Sequence, residues 1–103
     1  MIIKTKKDNE NILSMAGLTG DKLLNSENLE FVKLTIEPGK EIAPHAMPMK
    51  VIFYLVSGQG ELYFDGELYI IEQGTIIECE TKKERGWKNI GDDILELLVI
   101  KIG

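Results

Sequence analysis

The stretch Glu61-Leu62-Tyr63-Phe64-Asp65-Gly66-Glu67-Leu68-Tyr69-Ile70-Ile71 decides how the chain folds. Two β-prone runs flank Asp65-Gly66, a dipeptide that tolerates positive φ at both positions and so closes a two-residue hairpin. Outward from this hairpin, turn signals recur at short intervals: Pro38-Gly39, Ser57-Gly58-Gln59-Gly60, Gln73-Gly74 and Asn89-Ile90-Gly91-Asp92. Proline presets φ, and glycine accepts positive φ without a Cβ clash. Between the turns lie short β-rich runs at Phe31–Glu37, Val51–Val56, Glu61–Phe64, Leu68–Ile71, Thr75–Cys79 and Ile94–Ile102. Short strands at this spacing predict an all-β chain folded as an antiparallel sandwich or barrel.

Within the runs, Phe53 and Leu55 share one face, as do Leu62 and Phe64. The last run is apolar on both faces, with Leu95, Leu97 and Val99 opposing Ile94, Leu98 and Ile100. Such a strand is expected to be covered on both sides, as when a barrel wall meets a second subunit, so a homodimer is expected. The first 30 residues read differently. Gly17 and Gly20 interrupt any long helix between Asn9 and Leu24, so residues 1–30 are expected to form an extended arm or edge strand ahead of a barrel over 31–103.

With 103 residues and 44% hydrophobic content, the chain suits one structural domain and not a disordered segment. Twelve basic against 17 acidic residues give a net charge of −5, which disfavours a nucleic-acid surface built on clustered Lys and Arg. No apolar run approaches the roughly 20 residues of a membrane span, and Ile2-Ile3-Lys4-Thr5-Lys6-Lys7 lacks the apolar centre of a signal peptide. The single Cys79 forms no intrachain disulfide, and a cytoplasmic location is expected.

From Gly39 onward the chain resembles the cupin superfamily. The first cupin motif is G-x5-H-x-H-x3-E-x6-G. Gly39 is followed after five residues by His45, then Ala46 and Met47, and Val51 precedes Gly58 by the six-residue gap. The second motif is G-x5-P-x-G-x2-H-x3-N. Here Gly74 opens it, Glu80 and Lys82 stand at its proline and glycine, Arg85 at its histidine, and Asn89 closes it. The resemblance implies a double-stranded β-helix, a jelly-roll barrel, with His45, Met47, Val51 and Arg85 facing the interior. It would also imply one divalent metal held by three histidines and a glutamate, but only His45 remains of that set. Met47 is a soft thioether, Val51 has no donor atom and Arg85 is a permanent cation that cannot ligate a metal. No metal and no other cofactor is therefore expected.

By two-residue periodicity Phe53 follows Val51 inward and Trp87 follows Arg85. His45, Met47, Phe53, Arg85 and Trp87 thus form a candidate ligand site: an apolar, aromatic pocket with one imidazole and one guanidinium. It suits a small molecule, anionic or aromatic. Each residue also has a plainer reading. Met47 fills core, Arg85 pairs with Glu80, Glu84 or a partner subunit's carboxylate, Trp87 packs, and Cys79 is an inert buried thiol. Lys82-Lys83-Glu84-Arg85 reads as a charged loop, and Asn89 as the cap of a turn before Gly91. Two alternatives to a binding function stay open. One is an enzyme: a metal-dependent dioxygenase or isomerase, or a metal-free isomerase with His45 as base, Arg85 steadying an enolate and Tyr54 or Tyr63 as acid. The other is a structural barrel filled by its own side chains.

Overall fold

The computed structural model describes residues 1–103 as ten strands and one short 3-10 turn at Lys6–Asp8. The strands are β1 (Glu10–Met15), β2 (Leu18–Ser26), β3 (Leu29–Ile36), β4 (Glu41–His45), β5 (Lys50–Ser57), β6 (Gln59–Phe64), β7 (Glu67–Glu72), β8 (Ile76–Cys79), β9 (Arg85–Asn89) and β10 (Leu95–Ile102). They form a six-stranded sheet in the order β1-β2-β3-β10-β5-β8 and a four-stranded sheet in the order β4-β9-β6-β7. Every pairing is antiparallel. From β3 onward the chain crosses between the sheets at almost every connection, which winds it into the jelly-roll barrel, a double-stranded β-helix.

The turns follow the chemistry of their residues. Asp65 and Gly66 both take positive φ, +48° and +92°, and join Phe64 to its partner Glu67 in the expected hairpin. At Glu37–Lys40, Pro38 is followed by Gly39 at φ +80°, and the Lys40 N–H donates to the Glu37 carbonyl at 3.1 Å.

The core comes from strict alternation along β5 and β10. Phe53 and Leu55 face Val99 and Leu97 across the pair with Val51 next on the same face, all buried, and Val32 and Ile36 of β3 continue the layer. The opposite face of β10 carries Leu98 and Ile100, half-buried beside Tyr54, Ile52 and Phe31. At the far end of the inward face, beyond Val32 and Val99, Glu30 lies 3.1 Å from Lys22 and 3.2 Å from Lys101. Partial burial alone would raise its pKa, but hydrogen bonds from both lysines bring it below the usual carboxylate range.

Three regions differ from the expectations. Residues 1–30 hold two strands: β1 is the sheet edge, while β2 is interior, paired to β3 from Leu18 to Ser26. Gly20 of β2 is buried so closely that a Cβ there would lie 3.0 Å from Leu13 and 3.2 Å from Leu34. β4 and β9 have few β-branched residues and become strands by pairing with each other, Ile42 with Trp87 and His45 with Arg85. The charged loop expected over Lys82–Arg85 therefore ends one residue early. Arg85 opens β9 and is 2% exposed.

Candidate functional site

The inward faces of β3, β4, β5, β9 and β10 enclose a cavity of about 70 Å³. All five candidate residues, His45, Met47, Phe53, Arg85 and Trp87, line it. Leu34, Ile42, Val51 and Val99 complete its apolar wall. Of these, Leu34, Ile42 and Val99 were not singled out from sequence. Their alternation marks them as inward-facing, but only the register between strands places them opposite Arg85.

Trp87 is buried between β4 and β6 and meets Phe53 edge-to-face, with ring centroids 5.3 Å apart and planes at 75°. Gly60 makes room for the indole, since a Cβ there would stand 3.0 Å from the ring. Met47 is half-buried against the core. His45 is exposed, which puts it at the rim of the cavity and not inside it. Its Nδ1 lies 3.1 Å from the Ala43 carbonyl. A carbonyl only accepts, so Nδ1 carries the proton of the neutral ring and Nε2 is left as an acceptor.

Arg85 is the unusual residue. Its Nη1 donates to the backbone carbonyls of Glu80 at 2.9 Å and Lys83 at 3.2 Å, so it holds the β8–β9 loop and pairs with neither the Glu80 nor the Glu84 carboxylate. Nη2 is buried with no partner, and so is the indole Nε1 of Trp87. Two residues lining one cavity thus each present a buried donor without an acceptor, and one of them carries a full charge. Nearby Cys79, 1% exposed, has its thiol pKa pushed up by burial and drawn partly back by the Arg85 charge. A thiol held neutral in this way is a poor nucleophile.

Asn89, at the end of β9, lies outside the cavity and ties the strand to its neighbours. Its Oδ1 accepts from the Gly91 N–H at 2.9 Å, the turn cap expected, and its Nδ2 donates to the carbonyls of Ile36 and Asp93, both at 2.8 Å. Tyr54 points outward from β5, away from the cavity, and Tyr63 is not among the cavity's lining residues, so neither stands where a proton donor would be needed.

The side chains at the positions of a cupin metal centre do not fit one. Val51 offers no donor, Arg85 places a buried cation where a ligand would stand, and no group of three or more His, Cys, Asp or Glu converges anywhere in the chain. No chemical step through a metal follows from these residues.

Comparison with known proteins agrees with the fold. The model of one protein family, described as the cupin domain, matches residues 32–101. Among curated proteins, a 5-nitrosalicylic acid 1,2-dioxygenase of Bradyrhizobium sp. is 31% identical over 65 residues, which are 63% of this chain. The match spans only 31% of that protein's length. Among solved structures, KdgF from Halomonas sp. superposes with a TM-score of 0.85 at 16% identity, covering 100% of this chain and 94% of that one. An RmlC-like cupin family protein with a double-stranded β-helix fold from Methanocaldococcus jannaschii gives 0.79 at 24% identity, covering 99% and 92%.

Proposed function

The chain belongs to the cupin domain family, and we propose that it binds a small organic anion in the barrel, with Arg85 and Trp87 in place of the family's metal. The observation that carries this reading is the buried guanidinium of Arg85, which faces no carboxylate and leaves Nη2 unpartnered, in a cavity also lined by Trp87, whose Nε1 is equally unpartnered. A buried donor without an acceptor costs about 1–3 kcal/mol, and more when charged. A carboxylate, with two oxygens and several lone pairs, answers both donors and neutralises the cation.

The cavity of about 70 Å³ has room for a carboxylate head, since a water's share of liquid volume is about 30 Å³. A larger body leaves past Met47 and the rim imidazole of His45, with Phe53 and Trp87 offering aromatic surface. The curated relative supports this reading, because its name gives an aromatic acid as what it acts on. A homodimer is part of the proposal. The outer face of the six-stranded sheet carries Phe31, Ile52, Tyr54, Leu98 and Ile100 side by side, and Ile76 beyond them is 66% exposed. A lone buried thiol suits a reducing, cytoplasmic compartment.

A catalytic version of the same site rests on His45, whose free Nε2 stands at the rim as a base while Arg85 would steady an enolate. It lacks an inward acid, so binding is the better-supported reading.

The test is a calorimetric titration of the full chain with benzoate. Saturable binding is expected, and Arg85→Met weakens it by about 10- to 150-fold, the equivalent of losing a charged hydrogen bond. No saturable binding by benzoate or acetate, or binding indifferent to Arg85→Met, would leave the barrel as a self-filled structural module.

A further inference from the structure

A second cavity, of about 190 Å³, opens where the two sheets part, between the free edges of β7 and β8. It is a cleft lined by Leu62 and Phe64 of β6, Tyr69 and Ile71 of β7, and Ile77 and Cys79 of β8. Its polar groups are already engaged. The Tyr69 hydroxyl donates to the Glu67 carboxylate at 2.8 Å, so the slot meets the ring and not a free O–H. Glu78 at the margin is exposed and lies 3.5 Å from the Lys50 ammonium. Cys79 stays a neutral thiol, because burial raises its pKa. Neither of the unpartnered buried side-chain donors belongs to a residue of this slot; Arg85 and Trp87, which carry them, line the other cavity.

A ligand here would therefore find no charge to answer and no hydrogen bond to make, only aliphatic, aromatic and sulfur surface. Volume narrows the class. An engineered cavity of about 150 Å³ lined by Leu, Ile and Phe takes up benzene, so a slot of about 190 Å³ accommodates one six-membered ring with a small substituent. We propose that the β7–β8 slot is a binding site for a neutral, apolar molecule of single-ring size, separate from the anion site and independent of it.

The experiment is a methyl-resolved NMR titration of the full chain with benzene. Saturable shifts are expected at the methyls of Leu62, Ile71 and Ile77, while those of Ile42 and Val99, which line the other cavity, stay in place. Ile77→Trp, which fills the slot, weakens benzene binding at least tenfold, whereas Arg85→Met leaves it within about twofold. Benzene that moves Ile42 and Val99 instead, or that produces no saturable shift, overturns the proposal. Shifts of Ile71 and Ile77 that follow protein concentration and not benzene would assign the slot to a second copy of the chain, and so overturn it too. The titration of the unaltered chain decides the matter even if Ile77→Trp does not fold. Because benzoate and benzene report on different residues, failure of one site leaves the other standing.

Discussion

The two cavities of this barrel meet across the β6–β9 and β5–β8 pairs and ask for opposite things. Leu62 on β6 and Trp87 on β9 are partners across the four-stranded sheet, and Leu62 lines the slot while Trp87 lines the smaller cavity. Both spaces are walled by inward residues of alternating strands, so alternation alone does not distinguish them. Donor accounting does. The cavity toward β4 contains a cation and two buried donors with no acceptor, whereas the slot toward β7 has every polar group engaged or outside. On the proposed readings the same barrel offers one end to an anion and the other to a neutral apolar body, and Arg85 is the difference.

The largest test removes the wall itself. Trp87→Ala is expected to cost about 3–5 kcal/mol in urea unfolding. It also abolishes the comparison, since benzene would then shift the Ile42 and Val99 methyls together with those of the slot. Retained selectivity would mean that another residue separates the two spaces. A smaller change addresses the apolar end. Cys79→Ser buries a hydroxyl with no partner and is expected to lower stability by about 1–3 kcal/mol. Benzoate affinity should be unchanged, and a loss there would show that the two ends are coupled through Cys79.

Arg85→Lys addresses the polar end. It keeps the charge but loses the planar fork that holds the Glu80 and Lys83 carbonyls while leaving Nη2 free. A drop of about tenfold in benzoate affinity is expected, near 1.4 kcal/mol, with benzene binding untouched. Full retention would reduce the anion site to a point charge.

The smallest effect lies away from both cavities and serves as their control. Glu30 ionises more readily in the fold than in the unfolded chain, so its ion pairs with Lys22 and Lys101 stabilise the protein above the ordinary carboxylate value of about 4.5. That contribution is lost as pH falls through the lowered folded value. Glu30→Gln is expected to cost about 0.5–1 kcal/mol at pH 7 and nothing at acid pH, with both ligand affinities unchanged at pH 7. A change in either affinity would tie this end of the six-stranded sheet to the cavities.

Much of this was legible in the chain. The Asp65-Gly66 hairpin, the glycine turns and the alternation of β5 and β10 are local signals, and local signals are what a sequence displays. β2, β4 and β9 were less visible because their strand character comes from their partners: Arg85-Gly86-Trp87-Lys88-Asn89 has little β propensity of its own and is a strand because β4 and β6 flank it. Asn89 shows the same division within one side chain. Its bond to Gly91 spans two residues and was expected, while its bond to Ile36 spans 53 and was not.

The sequence by itself determined the fold class and the family likeness; the resemblance pointed to His45, Met47 and Arg85, and period-two alternation from its positions added Phe53 and Trp87. Only the tertiary structure decided that Arg85 holds backbone carbonyls instead of a carboxylate, that His45 sits at the rim, and that β7 and β8 part to open an apolar slot. Those outcomes depend on what stands opposite a side chain across the barrel. That is a matter of long-range register and the splay of two sheets, which no local pattern encodes.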